Sequence, residues 1–157
     1  QQVDSNQTEL EYQKEMEEKY KIPVMVCDSV EEAVKGAEII CTVTPSKEPY
    51  LKAEWITPGA HINAVGAFTP NTREIESSLM AKAKLYADQV EAMKKECGEY
   101  LIPKNEGLFG EEHITGSIGG ILAGQVPGRE NDTEITLFDA LGLAVEDVAC
   151  GRFLCRE

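Results

Sequence analysis

The sequence is short of positive charge. Against 28 Asp and Glu it has 15 Lys and Arg, so the 157 residues carry a formal net charge of −13. No basic cluster is available to release counterions from a phosphate backbone, which excludes nucleic acid and anionic membrane surfaces as expected partners. Long apolar runs are missing as well: no stretch approaches the roughly 18–20 apolar residues that span a bilayer. Only His61 and His113 could add imidazole to the thiols of Cys27, Cys41, Cys97, Cys150 and Cys155. With five cysteines at irregular spacing and no CxxC pair, neither a zinc site nor a disulfide framework is expected, and no metal is assigned. The Gly-rich phosphate loops GxGxxG and GxxxxGK[ST] are absent. So is the GxSxG elbow of nucleophilic acyl chemistry.

What remains is ordinary globular material, 42% hydrophobic and 27% charged. One domain-sized core is the natural count at this length. Cys27 and Cys41 sit in apolar runs, where a buried thiol behaves as a small hydrophobe, and reduced thiols fit a cytoplasmic setting.

Residues 8–20 read as an acidic helix. Leu10, Met16 and Tyr20 line a sparse apolar side, while Glu9, Glu11, Glu15, Glu17 and Glu18 form a solvated face. Residues 24–27 have strand length and composition. Asp28 or Ser29 caps a short helix over 30–35 that stops at Gly36. Residues 37–44 form a nearly uncharged β-branched run, suited to a strand covered on both faces. Further strands are expected at 61–65, 84–88 and 134–138, and helices at 74–83, 89–97, 118–123 and 141–154. Residues 116–120 follow no convincing strand and read as a turn and helix start. The alternation predicts an α/β domain with a doubly wound, mainly parallel sheet and helices on both faces.

Ligands of such sheets bind at the carboxyl ends of the strands. Two of those ends are distinctive. Thr42-Val43-Thr44-Pro45 places hydroxyls where an apolar run stops, and Asn63-Ala64-Val65-Gly66-Ala67-Phe68 supplies small residues that let a flat ligand approach the backbone. Together they mark a candidate ligand site.

Several segments, in order, then resemble the ornithine cyclodeaminase/mu-crystallin family. They are the run from Ser29 to Ile40, Thr42-Val43-Thr44, the run from Glu54 to Ala67, Pro127-Gly128-Arg129, and the run from Glu134 to Asp147. The resemblance implies a Rossmann domain that binds NAD(H) or NADP(H). It also implies a homodimer and hydride exchange with the nitrogen-bearing carbon of an amino acid or imine. Carried over residue by residue, Asp4 would bond the adenosine ribose hydroxyls and favour NAD over NADP. Thr42, Thr44, Val65, Gly66, Ala67 and Phe68 would face the cofactor, and Leu141 and Gly142 the substrate. No catalytic residue is assigned.

Two departures qualify this. Cyclodeaminases place an aspartate, their proposed proton donor, where this chain has Phe68. An aromatic ring cannot transfer a proton, which disfavours ornithine cyclodeamination and leaves imine reduction or amino-acid dehydrogenation open. The glycine-rich loop, its strand and the substrate domain of the family would all precede residue 1. Residues 1–157 are therefore expected to be the C-terminal part of a Rossmann domain: a fragment with little activity alone and an uncovered sheet edge prone to pairing. A non-catalytic binding domain of the mu-crystallin type is the alternative.

Overall fold

The computed structural model describes residues 5–155. They form two compact units, divided between Ala33 and Val34. In the first unit, α1 (Ser5–Tyr20) is the expected acidic helix. Lys21 leaves it in the left-handed region, at φ 56°. Residues 24–27 do not become the strand expected of them. The backbone of Val24 is already engaged: its carbonyl accepts from Gln13 Nε2 (2.6 Å) and its amide donates to Glu17 Oε1 (3.0 Å). Both partners are α1 side chains, so no ladder can form there. At the next helix, α2 (Val30–Val34), Ser29 is the cap. Its hydroxyl accepts from the Glu32 amide (3.2 Å), while Glu32 reaches back to the Asp28 amide.

The second unit is built on five parallel strands. They are β1 (Ile39–Thr42), β2 (His61–Ala64), β3 (Lys84–Ala87), β4 (Ile114–Ser117) and β5 (Thr136–Asp139), in the spatial order β1-β2-β5-β3-β4. The chain winds out to β4 and then returns to insert β5 between β2 and β3. The parallel α/β sheet expected from the sequence is thus present, and two surprises lie within it. Residues 114–117 do form a strand, ahead of α6 (Ile118–Leu122), although Gly116 and Ser117 are poor strand formers. A further helix not among those expected, α5 (Gly98–Asn105), begins at Gly98 and contains Pro103, residue types that ordinarily interrupt helices. Gly98 is required by packing: a Cβ there would collide with the carbonyl oxygens of Thr69 and Thr72.

Strand pairing puts Ile40, Ile62, Leu137 and Leu85 in one row and Thr42, Ala64, Asp139 and Ala87 in the next row on the same face. These side chains are all buried. Each fully buried Ile or Leu contributes about 1.5–3 kcal/mol relative to exposure. The helical layer on this side comes from α3 (Ser77–Lys82), α4 (Val90–Glu96) and α5, with Leu79, Met80, Met93 and Tyr100 turned inward. The opposite face is covered unevenly. Ile118 and Ile121 of α6 share a cavity with Tyr86, Thr136 and Phe138. Toward β1, however, Ile39 is 68% and Val43 69% exposed. The expectation that β1 is covered on both faces therefore fails on one. Its alternation, exposed then buried, is that of a half-covered strand.

The last helix, α7 (Ala144–Leu154), starts three residues later than expected because Gly142 takes a φ of +86°. Among the described residues no helix is long and apolar enough to cross a membrane.

Candidate functional site

Register decides what meets at the carboxyl edge. Thr42, Ala64 and Asp139 are paired across β1, β2 and β5, so the residues that follow them emerge side by side. Residues 43–44 leave β1, 65–68 leave β2, and 140–142 leave β5. The backbone keeps these exits together: the amides of Val65 and Gly66 donate to the Thr42 carbonyl (3.0 and 3.2 Å), and Ala140 donates to the Ala64 carbonyl (2.9 Å). Gly142 is held through its amide by Asp88 Oδ2 (2.8 Å), from the end of β3.

The edge formed by these exits is apolar. Val65 is 46% and Phe68 62% exposed, Val43 stands beside them, and Leu141 is half-buried. Ala67 is buried beneath the turn, and Thr42 points into the core, where its hydroxyl has no partner. Of the residues singled out from sequence, the fold gathers Thr42, Thr44, Val65, Gly66, Ala67 and Phe68 around two adjacent strand ends. Leu141 and Gly142 follow the third. Asp4 lies outside the described residues.

Under this edge is a feature the sequence reading missed. Glu74, expected to open a helix, lies in an extended segment before α3. Its carbonyl accepts from the amides of Tyr50 (2.8 Å) and Leu51 (2.9 Å), and Ile75 bridges to Leu51. Its carboxylate is fully buried. Oε1 accepts from the Thr44 amide (2.6 Å), the Thr44 hydroxyl (2.7 Å) and the Tyr50 hydroxyl (2.7 Å), and Oε2 accepts from the Gly66 amide (3.1 Å). Burial alone would raise its pKa, but the bonds donated by Thr44 and Tyr50 win and hold it below the usual carboxylate range. The same burial, with that charge nearby, lifts the Tyr50 phenol to about 12.

This arrangement also explains Gly66. A Cβ there would come under 3.0 Å from the Thr44 backbone and 2.7 Å from Glu74 Cδ. The bare α-carbon is needed for close approach of two chain segments.

Two more acids lie below. Glu99 receives the amides of Glu74 and Ile75, and burial pushes its carboxyl up to about 8 despite those bonds. Asp139, completely buried at the end of β5, accepts from the Cys97 thiol (3.2 Å) through Oδ2 and leaves Oδ1 without a partner. Burial raises it to about 7, the Cys97 bond opposing. Cys97 itself is pushed well up, first by burial and then by the Asp139 charge. A carboxylate inside a strand, as in Leu137-Phe138-Asp139, was the available sign of this cluster. Among the described residues no group of three or more His, Cys, Asp or Glu is placed to hold a metal ion.

Comparison with known proteins agrees with this architecture. The chain is 44% identical to mouse ketimine reductase mu-crystallin over 131 residues, 83% of this chain and 39% of that protein. It is 42% identical to alanine dehydrogenase of Archaeoglobus fulgidus over 121 residues, 77% of this chain and 37% of that one. Among solved structures, Thermococcus litoralis Δ1-pyrroline-2-carboxylate reductase, in complex with NADH and L-proline, superposes with a TM-score of 0.89. It has 36% identity and covers 96% of this chain and 46% of that one. An archaeal alanine dehydrogenase dimer with bound NAD gives a TM-score of 0.85 at 36% identity, over 94% of this chain and 45% of that one. The chain thus spans less than half the length of these relatives. The sequence profile of the ornithine cyclodeaminase/mu-crystallin family matches residues 3–156, and the chain belongs to that family.

Proposed function

We propose that residues 34–157 supply the nicotinamide-facing part of an NAD(H)-dependent oxidoreductase acting on an amino acid or imine. The observation that carries this reading is the convergence of three register-paired strand ends, residues 43–44, 65–68 and 140–142, with an exposed apolar edge. That is where ligands of parallel α/β sheets bind. The fit is to one end of the cofactor. Val65 and Phe68 offer an apolar rim for a flat ring, and the turn at 65–68 leaves backbone within reach. No GxGxxG loop occurs in the 157 residues, so the pyrophosphate would be gripped by polypeptide outside them. In this reading residues 1–157 are the C-terminal part of a Rossmann domain within a longer protein.

When bound, the nicotinamide would exchange hydride with the carbon bearing nitrogen. This chain's part is placement and exclusion of water. Leu141 and Gly142, which follow β5, the latter tied by its amide to Asp88, would border the substrate. Phe68 offers no proton, which favours imine reduction or amino-acid dehydrogenation over cyclodeamination. Asp4 would select NAD over NADP. Assembly as a homodimer and a cytoplasmic setting complete the proposal; the thiols, free among the described residues, fit the latter.

Reduced nicotinamide mononucleotide, which needs no pyrophosphate loop, tests the site directly. Titrated at millimolar concentration into the ¹⁵N-labelled chain, it is expected to move the amides of 65–68 and 141–142. Movement confined to other regions, or none, refutes the site. A longer protein containing this chain should oxidise NADH with a cyclic imine carboxylate and leave ornithine unchanged. Turnover of ornithine alone would overturn the substrate class.

A further inference from the structure

We propose that Glu74 is the positioning residue of these strand ends: its one buried carboxylate adds, to the backbone bonds on the Thr42 carbonyl, a second tie between the end of β1 and the turn after β2, and so sets their spacing. The inference rests on the cofactor reading above, since that spacing matters only if a ring lies against it. The geometry is specific. Thr44 is bound twice, by amide and hydroxyl, and both bonds end on Oε1; the Gly66 amide ends on Oε2. Thus the donors of Thr44 and the amide of Gly66 face inward and would not bond a ligand. They act through Glu74 to hold Val43 and the 65–68 turn at a fixed separation.

The carboxylate is itself anchored. Its backbone amide is held by Glu99, and its carbonyl by the amides of Tyr50 and Leu51. Four donors converging on a fully buried anion make the two strand ends one rigid piece. The lack of a Cβ at Gly66 is what lets the segments come that close.

The two oxygens are not equivalent, and that makes the idea testable. Oε1 serves three donors and Oε2 one. In Glu74→Gln the single remaining oxygen belongs on the three-donor side, which turns the amide NH₂ against the Gly66 N–H. Donor then faces donor, and the β2 turn is loosened: the Gly66 amide keeps only its bond to the Thr42 carbonyl (3.2 Å). Thr44 should keep its slow amide exchange while Gly66 exchanges faster. If the loosened turn occupies its binding geometry one-tenth of the time, affinity for the probe falls about tenfold.

Tyr50→Phe is the control. It removes one bond to Oε1 and some stability but leaves both backbone ties. Amide exchange and affinity for reduced nicotinamide mononucleotide would be measured for the full chain and both variants, at a temperature where all three are folded. The expected result is selective loss of Gly66 protection and about tenfold weaker binding in Glu74→Gln, with Tyr50→Phe within twofold of the parent. Equal binding by Glu74→Gln overturns the positioning role. Weakening of both variants in proportion to lost stability overturns it too, because Glu74 would then be only a structural support. A parent chain that ignores the probe overturns the cofactor reading and this inference together.

Discussion

Gly66→Ala is the sharpest single test of how the site is built. At Gly66 the φ angle is not in the left-handed region, so the added methyl meets no intrinsic backbone penalty. The cost is steric. A Cβ would lie under 3.0 Å from the carbonyl oxygen and amide nitrogen of Thr44 and 2.7 Å from Glu74 Cδ. None of these is the free end of a flexible side chain, so the turn or the strand end must move. Overpacking of this kind costs about 1–3 kcal/mol, and displacement also weakens bonds to a buried carboxylate worth roughly 1.5–3 kcal/mol each. A loss of about 3 kcal/mol is therefore expected, equivalent to a fall of about 1.5 M in urea midpoint for an m-value near 2 kcal/mol/M.

Gly36→Ala provides the contrast. Gly36 has a φ of +74° and open space around it. Its substitution costs left-handed strain of about 1–2 kcal/mol, less about 0.4–1 kcal/mol regained from the stiffer unfolded chain. Equilibrium urea unfolding of the three proteins, followed by far-UV circular dichroism, gives the ranking. If Gly66→Ala costs no more than Gly36→Ala, close approach of the strand ends is not what demands glycine, and the account of the site fails.

Two further outcomes are expected. Stability should fall as pH rises from about 5.5 to 8, because Glu99 titrates near 8 and Asp139 near 7 in the fold while both ionise near ~4 in the unfolded chain. Between those values the native state holds protons the unfolded state has lost, so the contribution is complete at the acid end and disappears on passing the folded pKa, at up to about 1.4 kcal/mol per pH unit per group. Urea midpoints should show the decline, and Glu99→Gln should flatten it; a parallel slope in the variant would rule Glu99 out as the source. Thiol labelling should separate the cysteines: Cys41, Cys150 and Cys155 are exposed and should react quickly, whereas Cys97 is completely buried with a raised pKa and should wait for unfolding. Mass spectrometry that finds Cys97 among the fast thiols would contradict the packing of α4 and α5 on β5.

The sheet was legible because its strands carry their own signal. Residues 37–44, 61–65 and 84–88 are short runs dominated by β-branched or apolar residues; β1 loses two residues at each end of its run, and β2 and β3 lose one each at the C-terminal end. Where signal and structure parted, a tertiary partner decided. Residues 24–27 have strand composition, but α1 side chains take the backbone of Val24 before any strand can. Residues 114–117 have it only in Ile114 and Thr115, yet the open edge of β3 supplies a ladder, and β4 forms with a register shift between Leu85 and Tyr86. Propensity is a weak prior over four residues, and a neighbouring edge outweighs it.

The same distinction applies at the site. Position along a strand located Thr44 and the 65–68 turn, because strand ends can be read from where apolar runs stop. It could not say which way their polar groups point. Thr44 at the end of an apolar run suggests a hydroxyl offered to a ligand, whereas in the fold both of its donors turn inward to Glu74, thirty residues away. The glycine that looked like room for a ligand is, in the first place, room for Thr44. Glu74 itself is preceded by Arg73 and followed three residues later by serines, so one-dimensional context marks it as the first turn of a surface helix. Its role follows from a register of strands and a loop crossing that no local pattern encodes. A site of this kind has its outer surface written in single residues and its spacing written in buried contacts. Substitutions at Glu74 and Gly66 should therefore disturb it more than substitutions at the exposed Val65, whose side chain has solvent to yield into.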